Sequence, residues 1–207
     1  MSGAHHAHKA NPLIGGIDPQ FGKATPGKIG MWIFLVTDAM SFSGFLIAYA
    51  VLRSKYDWPQ PSKYLGVGLS GFATFLLICS SVSMVLSIEA CKFKNRKHML
   101  NWLLVTIIGG AAFLGIQAYE YTHLVHQGIK LAYFFDGLSL FGSTFYLITG
   151  FHGLHVLTGV VYLCFMYKEA LRGDFDNGDI NRLEIAGLFW HFVDLVWILV
   201  FTFIYLL

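Results

Sequence analysis

Five stretches of this chain, at about 29–52, 64–90, 100–125, 139–167 and 184–207, are each long and apolar enough to cross a bilayer. The hydrocarbon core is roughly 30 Å thick, and a helix needs about 20 residues to span it. Lipid offers the backbone no hydrogen-bond partner, so such a run closes its hydrogen bonds internally as a helix. The expected fold class is therefore all-α: a polytopic membrane protein folded as a five-transmembrane-helix bundle over residues 29–207. Composition agrees, with 56% hydrophobic and 13% charged residues among 207, well outside the range of soluble domains. Residues 1–28, with His5, His6, His8 and three prolines, read as a flexible arm. The arm has no basic segment followed by a short apolar core, so a polar tail is expected here in preference to a signal peptide or a metal site.

The charges give the orientation. Ten of the fourteen Lys and Arg lie in the arm and in the loops after the second and fourth spans; four lie on the opposite side. The positive-inside rule then places the N-terminus in the cytoplasm and the C-terminus outside. A net charge of +2 is too small to indicate nucleic acid. Cys79, Cys91 and Cys164 are scattered without paired spacing, which argues against disulfides, attached haem and thiolate-bound metal.

Against this apolar background the polar residues at mid-depth carry the information, because an ionisable group in hydrocarbon is costly unless it faces protein. The fifth span holds Phe189-Trp-His-Phe-Val-Asp-Leu-Val-Trp197. His191 and Asp194 are three apart and share a face, which Glu184, Gly187 and Ile198 extend. Asp38 sits near the middle of the first span, and the fourth carries Phe151-His-Gly-Leu-His155. Gln117 and Glu120 lie toward the far end of the third span beside Tyr119 and Tyr121, whose rings read as an interfacial belt.

Two chemistries fit this set. His152 and His155 have the spacing of a ligand pair on a helix, and Asp38, His191 and Asp194 could complete a shell. Di-iron bundles, however, repeat Glu-x-x-His with further glutamates on facing helices, a repeated set this chain lacks. Mutual hydrogen bonding within the bundle is the favoured reading, with no metal ligand and no catalytic residue. Asp38 is also a candidate for proton exchange, since desolvation disfavours the charged carboxylate.

The motifs Arg96-Lys-His-Met-Leu100, Gln117-Ala-Tyr-Glu120, Gly142-Ser-Thr-Phe145, Phe151-His-Gly-Leu-His155-Val and Phe189 to Trp197 occur in this order. Together, over Lys28 to Leu207, they resemble subunit III of the haem-copper terminal oxidases, in the short five-helix bacterial form. The resemblance implies a multi-pass subunit of the bacterial plasma membrane with no cofactor of its own, haem and copper residing in partner subunits. It implies direct packing on subunit I, association with subunit II and other oxidase subunits, bound phospholipid, and membership of a respiratory supercomplex. Its implied role is to stabilise subunit I and support proton uptake in an enzyme that reduces oxygen and pumps protons. Thr37-Asp-Ala39 stands where the mitochondrial form has Ser-Glu-Val, and the shorter acid needs a closer partner. Asp38 is expected to hydrogen-bond His155, with His152 or His191 as lesser candidates. Gly142-Ser-Thr-Phe145 favours a cytochrome c oxidase; a quinol oxidase subunit III and a free-standing membrane metalloenzyme are the alternatives.

Overall fold

The computed structural model describes residues 25–60, 66–126, 137–176 and 180–207. The arm up to residue 24 and the Asn177-Gly178 turn signal lie outside the described residues. Five helices follow one another: α1 (Pro26–Lys55), α2 (Val67–Lys92), α3 (Arg96–His126), α4 (Gly137–Arg172) and α5 (Asn181–Phe201). A π-helical turn, Thr202–Leu206, continues α5. All five are long and apolar enough to cross a membrane, and the described residues contain no strand.

The helices extend beyond the apolar runs that announce them. α1 starts at Pro26, three residues earlier than expected, because proline in the first helical turn gives up an N–H that would have no partner anyway. The basic segment Lys92 to His98 is not a loop. α2 runs through Lys92 and α3 begins at Arg96. In the three-residue connection, Lys94 N–H donates to the Cys91 carbonyl and Asn95 N–H to that of Ala90. That pair of bonds closes a helix end when one residue turns left-handed, here Lys94 at φ 54°. A lysine in this region costs about 1 kcal/mol that glycine would not, and it fixes α2 and α3 as a tight antiparallel pair.

α5 lies against α1, α2 and α4, while α3 bridges α2 and α4. α1 rests mainly on α5 and more lightly on α4. The buried residues of α3 are Met99, Leu103, Thr106, Gly110, Phe113, Gln117, Glu120 and Leu124, spaced four and three in alternation. That seven-residue repeat is the pattern of left-handed helix packing. α2 buries mainly small and hydroxylated residues, among them Ser70, Ala73, Thr74, Ser80, Ser83 and Ser87. In lipid, helices gain nothing by hiding apolar surface from one another, so close approach and hydrogen bonds must hold them. The Ser83 and Thr106 hydroxyls meet at 2.7 Å, and Ser87 Oγ donates to the Met99 carbonyl at 3.0 Å.

Two buried tryptophans of α5 organise the centre. Trp190 Nε1 donates to Ser80 Oγ at 3.1 Å, and Trp197 Nε1 to Thr74 Oγ1 at 2.9 Å. The Trp190 ring fits only because Gly110 and Gly159 flank it: a Cβ on Gly110 would stand 2.5 Å from Trp190 Cη2, and one on Gly159 3.0 Å from the same ring. The outward faces carry Ile33, Val36, Phe72, Phe75, Ile108, Leu154 and Phe165, as expected of a surface whose solvent is hydrocarbon.

Candidate functional site: buried polar groups of the bundle

The polar residues singled out from sequence do not form one cluster. The structure distributes them into separate groups, each built by two or three of the helices.

Asp38 of α1 and His155 of α4 face each other across the light contact between those helices, with Asp38 Oδ1 3.3 Å from His155 Nε2. The Asp38 side chain is 8% exposed and that of His155 13%. One turn back on α4, the Phe151 carbonyl lies 2.8 Å from His155 Nδ1. A carbonyl only accepts, so Nδ1 carries a hydrogen and Nε2 is left to meet the acid. The contact is then attractive only if one further proton sits between the two side chains, as imidazolium with carboxylate or as imidazole with carboxylic acid. Either arrangement leaves the pair neutral overall. Phe42 and Phe151 pack on the His155 ring at centroid distances of 5.5 and 4.7 Å, shielding it. Asp38 Oδ2 has no hydrogen-bond partner among the described residues.

His191 and Asp194 share a face of α5 but no hydrogen bond joins them. Ser81 of α2 stands there instead, its Oγ 2.6 Å from His191 Nδ1, and it is also the polar neighbour of Asp194. Asp194 is 8% exposed and its Oδ1 is unpartnered among the described residues. Ser81 was not expected from sequence. Within a hydroxyl-rich helix nothing distinguishes it from Ser80 or Ser83 until the packing of α2 on α5 is known.

His152 departs furthest from expectation. It is fully buried, and neither ring nitrogen finds a partner among the described residues. Trp197 lies beside it at 4.9 Å, and Phe113 and Phe42 meet it edge-on at 5.8 and 6.3 Å. A metal shell of His152 and His155 with Asp38, His191 and Asp194 does not assemble: among the described residues no three His, Cys, Asp or Glu side chains converge. The reason lies in the packing around each ring: His155 turns toward Asp38 of α1, while His152 turns inward between Phe113 of α3 and Trp197 of α5.

Glu184 lies on the face of His191, with Gly187 between them, but at the half-exposed end of the bundle where α1 and α5 begin, apart from the buried groups. Its carboxylate takes Lys28 Nζ at 2.5 Å and Lys92 Nζ at 3.4 Å, tying α1, α2 and α5 together. Thr25 Oγ1 donates to Asn181 Oδ1 at 2.8 Å beside it. At the opposite end Glu120 is 5% exposed, with Ser70 Oγ donating to Oε1 at 2.8 Å and Tyr205 OH to Oε2 at 2.7 Å. One turn before it, Gln117 is buried as well, and its Nε2 is unpartnered among the described residues. Tyr121 OH lies 2.7 Å from Thr149 Oγ1, so only Tyr119, 63% exposed, fits the expected belt. The sequence held one overlooked signal: Gln117 and Glu120 continue the four-and-three register of the buried residues of α3.

Buried polar pairs that cross from helix to helix, on a bundle apolar all around its rim, define a multi-pass helical membrane protein of the kind that works within a larger assembly. Comparison with known proteins gives this class its family. The family model for cytochrome c oxidase subunit III matches residues 24–207, and the chain belongs to that family. It is 30% identical to the probable quinol oxidase subunit 3 of Staphylococcus saprophyticus, over 97% of this chain and 96% of that one. It is 34% identical to the cytochrome c oxidase subunit 3 of Bacillus sp. strain PS3, over 86% of this chain and 84% of the other. Identity is again 34% to the probable cytochrome c oxidase subunit 3 of Rickettsia prowazekii, over 87% of this chain and 68% of that longer one. The chain is thus a subunit III of the haem-copper oxidase type, and other oxidase subunits are its partners.

Proposed function

We propose that this chain is a non-catalytic, cofactor-free subunit III that packs directly on subunit I of a proton-pumping oxidase in a bacterial plasma membrane. In this reading the N-terminus is cytoplasmic, the C-terminus is outside, and haem and copper belong to the partners. The family match over 24–207 carries the proposal. The Asp38–His155 pair supports its mechanistic part. A neutral pair holding one proton at the thinly packed side of the bundle is suited to buffer proton uptake by a neighbouring chain, and so to keep that chain active during turnover. The reading takes cytochrome c as electron donor; quinol is the alternative, favoured by the name of the relative that matches 97% of the chain.

Purification under mild detergent tests it. Co-isolation with a haem-bearing partner is the expected result, and reduction of that preparation by cytochrome c or by quinol separates the two donors. A stable solitary protein would overturn the reading.

A further inference from the structure

Tyr205 is a buried phenol, 2% exposed, whose hydroxyl donates to the Glu120 carboxylate at 2.7 Å. Oxidation of a phenol is easiest where its proton has an immediate acceptor, because the radical cation left otherwise is a strong acid. Two other hydrogen-bonded phenols differ: Tyr49 OH receives Trp58 Nε1 at 3.2 Å, and Tyr121 OH meets the Thr149 hydroxyl. Neither an indole N–H nor an alcohol can take a phenolic proton. Tyr205 is also in ring contact on two sides. Trp197, an oxidisable indole at the bundle centre, lies at 6.1 Å, and Phe145 at 5.8 Å. The Phe145 ring in turn lies 5.6 Å from Tyr146 and 6.2 Å from Tyr121, which are 5.0 Å apart and less deeply buried.

We propose that Tyr205 with Glu120 is a proton-coupled one-electron oxidation site, fed by high-potential one-electron oxidants through Trp197 and drained through Tyr121 and Tyr146. In the oxidation step the Tyr205 O–H bond breaks. Its electron goes to the oxidant, which is reduced by one electron, and its proton goes to Glu120, which becomes a carboxylic acid. Tyr205 remains as a neutral phenoxyl radical. A water-soluble reductant such as ascorbate, meeting the Tyr146 edge, supplies the returning electron while Glu120 returns the proton. Ser70, which holds the other Glu120 oxygen, is a positioning residue. The chemistry stands on this geometry alone; its use as a sink for stray oxidising equivalents rests on the proposed function.

The test uses the full chain as purified, with whatever partners accompany it, illuminated with ruthenium tris-bipyridine and persulfate, then frozen for electron paramagnetic resonance. A neutral tyrosyl signal is expected, lost in Tyr205→Phe and reduced several-fold in Glu120→Gln, which still accepts the hydrogen bond but takes up no proton. Ascorbate added before freezing should erase the signal. Full signal in Tyr205→Phe, or full yield in Glu120→Gln, overturns the proposal, and the Gln variant remains decisive if the Phe variant fails to fold. A second arm adds hydrogen peroxide to a haem-bearing preparation and maps oxidised tyrosines by mass spectrometry, with Tyr205 expected among them. A photochemical signal without such modification would retain the site and refute its use in the oxidase.

Discussion

Replacing Gly110 by alanine puts the packing argument at risk with one methyl group. The new Cβ would stand 2.5 Å from Trp190 Cη2, 2.7 Å from Val160 Cγ2 and 3.0 Å from Trp190 Cζ2, all well inside the contact distance of about 3.5–4.0 Å. The ring must therefore move by about 1 Å. It cannot retreat freely: its Nε1 is bonded to Ser80 Oγ at 3.1 Å, and the α4 backbone at Gly159 confines its other edge. Overpacking of a filled interior costs about 1–3 kcal/mol, and a ring held on two sides belongs at the upper end. Alanine's better helix propensity returns up to about 1 kcal/mol, so a net loss of about 1–2 kcal/mol is expected. Thermal unfolding of the detergent-solubilised protein, followed by tryptophan fluorescence, reads this directly. Gly115→Ala is the control, since its Cβ would meet nothing within 4 Å, and it should leave stability unchanged or raise it. Pairing Gly110→Ala with Trp190→Phe should recover part of the loss, because residues in contact couple by about 0.5–3 kcal/mol. If Gly110→Ala matches Gly115→Ala, the placement of Trp190 between α3 and α4 is wrong.

Three further outcomes follow from named contacts. Thr74→Val, nearly isosteric, leaves the buried Trp197 N–H without its acceptor at 2.9 Å and should destabilise by about 1–3 kcal/mol in the same assay. Asp38→Ala should leave initial oxygen reduction by the assembled oxidase intact but shorten its active lifetime, because His155 loses its acidic partner. Unchanged inactivation kinetics would remove Asp38 from the mechanism. Glu184→Gln removes the negative charge that gathers Lys28 and Lys92. The ion pairs lie near the surface, so the loss should be about 1 kcal/mol or less, and thermal unfolding of the variant should depend less on salt than that of the wild type.

How much of this was legible in the sequence depends on distance along the chain. The five helices follow from local hydropathy, and so does the inward turn of Asp38, His191 and Asp194, since each property belongs to one helix. The pairing of Asp38 with His155 was within reach because few acids and imidazoles share mid-depth. Pairings with hydroxyls were not. α2 presents a serine or threonine at nearly every turn, and which one meets His191, Trp190, Trp197 or Glu120 depends on the rotation and depth of α2 against α5, set by side-chain volume at many contacts. The partners of Glu184 were out of reach for a related reason. Its face on α5 is the face of His191, but two turns nearer the end, where Lys28 and Lys92 arrive from other helices.

These particulars separate what holds the bundle from what is available for function. Trp190 with Ser80, Trp197 with Thr74, Ser83 with Thr106 and Glu120 with Ser70 and Tyr205 are pairs in which a buried donor meets an acceptor. All lie among α2, α3, α5 and the turn that continues it, and except for Ser83 with Thr106, whose hydroxyls also bond carbonyls of their own helices, breaking one leaves a polar atom stranded in hydrocarbon. By contrast, the Asp38–His155 pair joins α1 to α4, the lightest of the principal helix contacts. A proton placed between the strongly packed helices would be hard to exchange, whereas α1 is covered on one side only and its outer face carries Thr37, Met40 and Ile47. The division follows from packing: helices joined by hydroxyl and glycine contacts form the platform, and the more lightly seated first helix carries the acid that faces His155.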